Sequence, residues 1–161
     1  MNVLMLSLDN SILNSSSVSF GRMKEYGSIC NELHIIIVGG RGQMQKIDKN
    51  IYIYPTSPKR IQALIQAFML GKKILNKADK WIITTQDSFE IGFIGLFLSK
   101  KFKCGLEVQL HGDFYGNLYW RRERLLNQLR YYLGKFVLKR ANSIRVVSAR
   151  IKKSIEGFVG G

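Results

Sequence analysis

Residues 81–113 read WIITTQDSFEIGFIGLFLSKKFKCGLEVQLHGD, and the class of fold follows from this stretch. Residues 81–85 form an apolar, β-branched run that is typical of a buried strand. Residues 89–102 are apolar almost all round, with two glycines one turn apart, which predicts a buried helix packed closely on a sheet. Residues 106–110 predict a second strand. The stretch is therefore a strand–helix–strand unit.

The same alternation continues on both sides of this unit. Short apolar runs predict strands over residues 3–8, 33–38, 51–54 and 143–147. Helical periodicity predicts helices over residues 18–31, 59–77, 119–141 and 149–157. A chain of 161 residues that alternates in this way is typical of one α/β domain, residues 1–161, with a doubly wound, mostly parallel, Rossmann-like sheet.

The chain is strongly basic, and the excess lies in its last third. It has 25 Lys and Arg against 11 Asp and Glu, a net charge of +14. Residues 100–161 hold 14 of the basic and only 4 of the acidic side chains. This balance indicates an anionic partner, which is a phosphate-bearing substrate, a lipid surface or a nucleic acid. Composition does not choose among them.

Cysteine usage and hydropathy indicate the compartment. Cys30 and Cys104 are too far apart in sequence for a CxxC pair, and with only two histidines the sequence predicts no metal site. We expect free thiols in a reducing cytosol. Residues 1–9 lack a signal-peptide pattern, and the longest apolar run, residues 91–98, is about half of a membrane span. The sequence therefore predicts a cytoplasmic protein, with peripheral association on the inner face of the membrane left open.

Polar residues cluster where the predicted strands end. Because ligands bind at the carboxyl ends of parallel strands, four loops are selected: residues 9–17, 39–42, 86–88 and 111–114. The candidate substrate-binding residues in them are Asn14, Ser15, Ser16, Gln86, Asp87 and Gly112.

The serine-rich first loop allows two interpretations. It precedes a predicted helix, whose free N–H groups and dipole favour a bound phosphate. The alternative is that the serines only cap that helix. The sequence contains neither GxGxxG nor GxxxxGK[ST], which argues against an ordinary dinucleotide site or P-loop.

His111 and Asp113 are the candidate catalytic residues. His111 directly follows a predicted strand and precedes a glycine, at the mouth of the expected site. Asp113 is placed to orient the imidazole or to bind substrate hydroxyls. The alternatives are a structural histidine and an ordinary turn residue.

The predicted helix over residues 119–141 is basic and rich in aromatic residues. Its inner stripe is predicted to be Leu126, Leu129, Leu133, Phe136 and Val137. Its candidate anion-binding residues are Arg121, Arg122, Arg124 and Arg130. Cations interleaved with aromatic rings suit an anionic membrane surface or a nucleic acid strand, while the simplest alternative is a solvated face. Nucleic acid is the least favoured partner, because no known binding motif is present.

Five segments, taken in order, resemble the family 4-type glycosyltransferases. They are residues 22–27 (RMKEYG), 32–36 (ELHII), 85–95 (TQDSFEIGFIG), 107–114 (EVQLHGDF) and 141–148 (ANSIRVVS). Together these segments are spread over nearly the whole chain, and the fourth is the most specific. Asn14, Ser15 and Ser16 stand where these enzymes often have a Gly-Gly pair.

The resemblance implies the N-terminal, acceptor-binding domain of a two-domain, retaining GT-B enzyme. It implies that His111 lies near the transferred sugar, that Gly112 and Asp113 shape the cleft, and that residues 9–17 face a glycan or lipid-linked acceptor. The nucleotide sugar would be a substrate of the complete enzyme, and neither a cofactor nor a catalytic metal is expected. A donor-binding domain, with its paired glutamates, is the partner that the resemblance implies, and without it this domain is incomplete as a transferase. The alternative is a non-catalytic basic module that binds an anionic membrane surface.

Overall fold

The computed structural model describes residues 1–75 and 80–159 and confirms the predicted α/β class. Its seven strands form one sheet in the order β3-β4-β2-β1-β5-β6-β7. All neighbouring strands are parallel except β3 and β4. The strands are β1 (Asn2–Ser7), β2 (Leu33–Ile37), β3 (Gln45–Asp48), β4 (Ile51–Pro55), β5 (Trp81–Thr85), β6 (Gly105–Leu110) and β7 (Ser143–Val146).

Helices cover both faces of the sheet. They are α1 (Val18–Ser28), α2 (Arg60–Ile74), α3 (Glu90–Phe102), α4 (Leu118–Glu123), α5 (Leu125–Leu138) and α6 (Ala149–Glu156). Helix α1 packs through Met23 on one face, whereas α2, α3, α5 and α6 share the larger core on the other. The prediction for residues 59–77 included residue 77, which lies outside the described residues. No helix within the two described ranges is both long and apolar enough to cross a bilayer.

Strand β1 lies at the centre of the sheet and at its topological switch point. It pairs with β2 on one side and β5 on the other, and its Leu4 and Leu6 side chains are fully buried. From β1 the chain proceeds outward in both directions, so the loops after β1 and β5 diverge at the carboxyl edge. Such a divergence forms the crevice in which doubly wound sheets bind ligands.

Two elements of the structure were not predicted. Strand β3 is an antiparallel edge strand whose residues alternate between half-buried and exposed positions. A short 3-10 helix, Asn10–Leu13, occupies the first loop. Neither element contains an apolar run long enough to be recognised by periodicity.

The prediction of one helix over residues 119–141 was wrong. The chain forms α4 and α5, and between them Arg124 is extended, with φ −146° and ψ 145°. The Asn127 side chain stabilises the break by donating to the carbonyl oxygen of Trp120 at 2.9 Å.

The predicted inner stripe of this helix was also largely wrong. Helix α5 buries Asn127, Gly134, Val137 and Leu138, whereas Leu126, Leu129 and Phe136 are exposed. The cause is a close approach at Gly134, where the Tyr115 hydroxyl occupies the space that a Cβ atom would need. Because only glycine admits Tyr115 there, α5 meets the core with its glycine side, and Leu126 and Leu129 face outward.

Candidate functional site

A pocket of about 580 Å³ opens at the carboxyl edge of the sheet. Five of the predicted residues line it: Gln86, Asp87, His111, Gly112 and Arg130. Asn14, Ser15, Ser16 and Asp113 are not among its lining residues. A larger depression of about 1150 Å³ lies at the amino edge of the sheet. We assign the site to the carboxyl pocket, because that is where the titratable and polar groups converge.

Gln86 and Asp87 are fixed by the loop between β5 and α3. Ser7 donates a hydrogen bond of 2.6 Å to Gln86 Oε1, which leaves the Gln86 Nε2 hydrogens without a protein partner in the described part of the chain. Asp87 Oδ1 accepts the backbone N–H of Phe89 at 2.8 Å. Burial raises the pKa of the Asp87 carboxyl to about 6, the Phe89 hydrogen bond opposes this, and nearby Glu90 adds to it.

His111 directly follows β6, and its side chain is exposed at the mouth of the pocket. No hydrogen bond to its imidazole is formed within residues 1–75 and 80–159. Partial burial of the ring nitrogens lowers the pKa of His111, and the positive charges of Arg145 and Arg22 lower it further. This shift favours the neutral imidazole, which offers one donor and one acceptor to a ligand.

Asp113 contacts other residues and not His111. Its Oδ2 accepts a hydrogen bond from Arg150 Nε at 2.7 Å, and its Oδ1 accepts the backbone N–H of Gly116 at 2.9 Å. Slight burial acts to raise the pKa of this carboxyl, but these hydrogen bonds outweigh it and hold the pKa below its usual range. In this structure Asp113 fixes the turn after His111 and ties it to α6.

Three aromatic rings form an apolar wall of the pocket. Phe89, Phe114 and Trp120 contact one another with ring centroids 5.0 to 5.5 Å apart. All three line the pocket. Behind them, the buried Ser88 Oγ and Tyr115 hydroxyl form a hydrogen bond of 2.6 Å, which holds the loops after β5 and β6 together. A rigid apolar wall opposite a few polar groups is typical of a small-molecule site.

Glu90 lies between two arginines at the rim of the pocket. Arg130 Nε and Nη2 both donate to Glu90 Oε1, at 3.1 and 3.0 Å, and Arg60 forms an ion pair with the same oxygen. Arg130, a predicted anion-binding residue, is therefore paired with an internal carboxylate that it shares with Arg60. Sequence reasoning missed Arg60 and Glu90, because the pairing joins positions that are 30 residues apart and no local pattern links them.

The serine-rich first loop is held by its own hydrogen bonds. Ser17 caps α1 by accepting the N–H of Phe20 at 3.0 Å, and Ser16 donates to Asn14 Oδ1 at 2.8 Å. Ser19 donates to Asp9 Oδ2 at 2.7 Å. These contacts are those expected for the capping interpretation, and the phosphate-binding interpretation stays a prediction.

The other predicted anion-binding residues lie on α4 and at its end. Arg122 and Arg124 are exposed. The Arg121 guanidinium stacks over the Tyr131 ring, 4.9 Å from the centroid. In the described part of the chain, no group of three or more His, Cys, Asp or Glu side chains is arranged to hold a metal ion.

No family model matches the sequence, and no curated protein matches it significantly. The resemblance to family 4-type glycosyltransferases therefore stays a prediction from its motifs.

Proposed function

We propose that this chain is the acceptor-side domain of a retaining GT-B glycosyltransferase. The carboxyl-edge pocket would receive a glycan or lipid-linked acceptor, and a second domain, on the same or another polypeptide, would bind the nucleotide-sugar donor. The observation that carries the proposal is the placement of an exposed, neutral His111 in one pocket with Gln86 and Asp87.

These three side chains supply the hydrogen bonds that a sugar needs. The neutral His111 imidazole exchanges a hydrogen bond with a sugar hydroxyl without first losing a proton. The free Nε2 hydrogens of Gln86 donate to a second hydroxyl. Asp87, with a pKa of about 6, is mostly ionised at pH 7 and accepts a hydroxyl hydrogen. The aromatic wall covers the apolar face of the ring.

Transfer itself requires the donor domain as a second wall. The rate of sugar transfer rises only when the bound acceptor and the anomeric carbon of the donor are both held in position. In the complete cleft, the donor's own phosphates and the surrounding dipoles would stabilise the oxocarbenium-like charge that develops on the transferred sugar. This chain's part is to bind and orient the acceptor.

The test measures sugar transfer with and without a donor domain. The chain is assayed alone, and then with a donor-type domain encoded in the same genome, against a panel of radiolabelled nucleotide sugars and a membrane lipid extract. We expect label in the lipid or glycan fraction only when both domains are present. His111→Ala should then lower kcat about tenfold or more.

The control variant is Lys49→Ala. Lys49 is exposed in the turn between β3 and β4, at the amino edge of the sheet and away from the pocket. It should leave kcat unchanged. Unchanged turnover in His111→Ala would remove His111 from the site, and no transfer with any nucleotide sugar in the presence of the donor domain contradicts the proposal as a whole.

A further inference from the structure

Helices α2, α3 and α5 lie side by side on one face of the sheet, and their outward sides are apolar. Ile61 is 75% exposed, Leu129 67% and Phe97 52%. We call this surface the three-helix face; its main exposed side chains are Ile61, Ile65, Met69, Phe93, Phe97 and Leu129. A surface helix ordinarily places polar side chains there, so a large apolar surface indicates a binding partner.

The apolar surface is continuous from one helix to the next. The Phe68 ring of α2 meets the Phe97 ring of α3 edge-on, with centroids 5.5 Å apart. A groove of about 460 Å³ runs between the helices, and Leu133 of α5 lines its far side. Among the residues that the structure describes, the only charged side chain lining the groove is Glu90, which already pairs with Arg60 and Arg130.

The surroundings of this face are basic. Helices α2, α3 and α5 carry seven Lys and Arg and one acidic residue, Glu90. Lysines in the last turns of α2 and α3 lie at the margin of the apolar side chains, and the Lys72 ammonium lies 5.7 Å from the Phe68 ring centroid. Just after α5, the Arg140 guanidinium stacks 3.8 Å from the Phe136 centroid. Cations therefore border apolar side chains.

The positive charge around this face distinguishes between two possible binding partners, a second copy of the chain and a lipid bilayer. A second copy of the chain, related by a two-fold axis, would bring two identical basic surfaces together, because such an interface uses the same patch twice. An anionic bilayer instead offers negative headgroups to the lysines and arginines and an acyl boundary to the apolar side chains. The bilayer satisfies both features of the face.

We propose that the three-helix face docks on an anionic lipid bilayer, with Ile61, Phe97 and Leu129 inserted below the headgroups. The contact surface differs from the one predicted from the sequence, since Arg121, Arg122 and Arg124 lie on or beside α4, outside these three helices. The inference does not depend on the transferase proposal, because it uses no residue of the pocket's hydrogen-bonding set.

The experiment is co-sedimentation of the whole chain with vesicles. We expect binding to vesicles of phosphatidylglycerol and phosphatidylcholine and none to pure phosphatidylcholine. The double variant Ile61→Gln/Leu129→Gln should lower the partition coefficient at least about tenfold for each side chain replaced. Its matched control is Val18→Gln/Ile29→Gln at the ends of α1, on the opposite face, where the side chains are 79% and 82% exposed. This control should bind like wild type.

A second pair of variants separates local from overall charge. Lys73→Glu/Lys100→Glu changes the net charge by as much as Lys24→Glu/Lys49→Glu, and all four lysines are exposed. The first pair borders the face and should abolish binding, whereas the second should weaken it only slightly. Equal loss from both pairs, or no loss from Ile61→Gln/Leu129→Gln, overturns the proposal.

Self-association is measured without vesicles by sedimentation velocity. A monomer supports the proposal. A dimer that dissociates in Ile61→Gln/Leu129→Gln assigns the face to a second copy and overturns it. Because the replaced side chains are exposed, the variants should unfold at nearly the wild-type temperature, which circular dichroism verifies.

Discussion

Asp87→Asn should stabilise the protein at alkaline pH and leave its stability at acid pH nearly unchanged. Burial makes the ionised carboxylate of Asp87 unfavourable, so its pKa rises from 3.8 in the unfolded chain to about 6 in the folded one. Asparagine cannot ionise. Its Oδ1 atom can still accept the Phe89 N–H that Asp87 accepts at 2.8 Å, so the substitution removes the charge and keeps the hydrogen bond.

The direction in which stability changes with pH follows from proton binding to Asp87. Between pH 3.8 and about 6 the folded state holds a proton on Asp87 that the unfolded state has lost, so the free energy of unfolding falls as the pH rises through this window. A shift of about two pH units corresponds to about 3 kcal/mol. The advantage of Asp87→Asn over wild type should therefore grow from near zero at pH 4 to about 3 kcal/mol at pH 8.

Urea unfolding of both proteins at half-unit pH intervals measures this difference. Other groups titrate in the same range, for example Asp113 with its lowered pKa, but they contribute equally to both proteins and cancel in the comparison. A difference that stays flat from pH 4 to pH 8 would refute the argument that a buried carboxylate at the pocket destabilises the fold. A difference that grows would show that the chain keeps Asp87 at the expense of stability.

Gly134→Ala should destabilise the fold by about 1–3 kcal/mol in chemical denaturation, because the new methyl group overlaps the Tyr115 hydroxyl. Tyr115→Phe should also destabilise the fold by about 1–3 kcal/mol, because it leaves the buried Ser88 hydroxyl unpaired. The double variant Gly134→Ala/Tyr115→Phe should lose less stability than the two single variants together, since the overlap with the hydroxyl is gone. Additive losses would contradict the close contact between Gly134 and Tyr115. Arg130→Gln should cost only about 1 kcal/mol, since Glu90 keeps a second arginine partner; a loss several times larger would show that this partner does not compensate.

The fold class could be predicted because the central strands are short, apolar and separated by helical periodicity. β1, β5 and β6 carry this pattern locally, so no tertiary information is needed to recognise them. Strand β3 could not be recognised, because half of its side chains are exposed and it lies at the edge of the sheet, paired with β4. The break at Arg124 was equally hidden, since arginine has no strong tendency to end a helix.

The orientation of α5 shows where periodicity misleads. Leu126, Leu129 and Leu133 of α5 fall on one stripe, and a helix of a globular domain ordinarily buries such a stripe. Here the glycine side is buried because Tyr115, from a distant loop, fills the space over Gly134. The candidate site divides in the same way. The carboxyl-end rule selected Gln86, Asp87 and His111, which line one pocket, but it could not find groups contributed by the starts of α2 and α3.

The carboxyl-edge pocket and the groove of the three-helix face are adjacent, because Leu64 and Glu90 line both of them. If both proposals hold, docking of that face would bring the adjoining pocket close to the membrane, within reach of a lipid-linked acceptor. The proposals nevertheless fail separately. Loss of vesicle binding in Ile61→Gln/Leu129→Gln leaves the hydrogen-bonding groups around His111 intact, and His111→Ala leaves the apolar face intact.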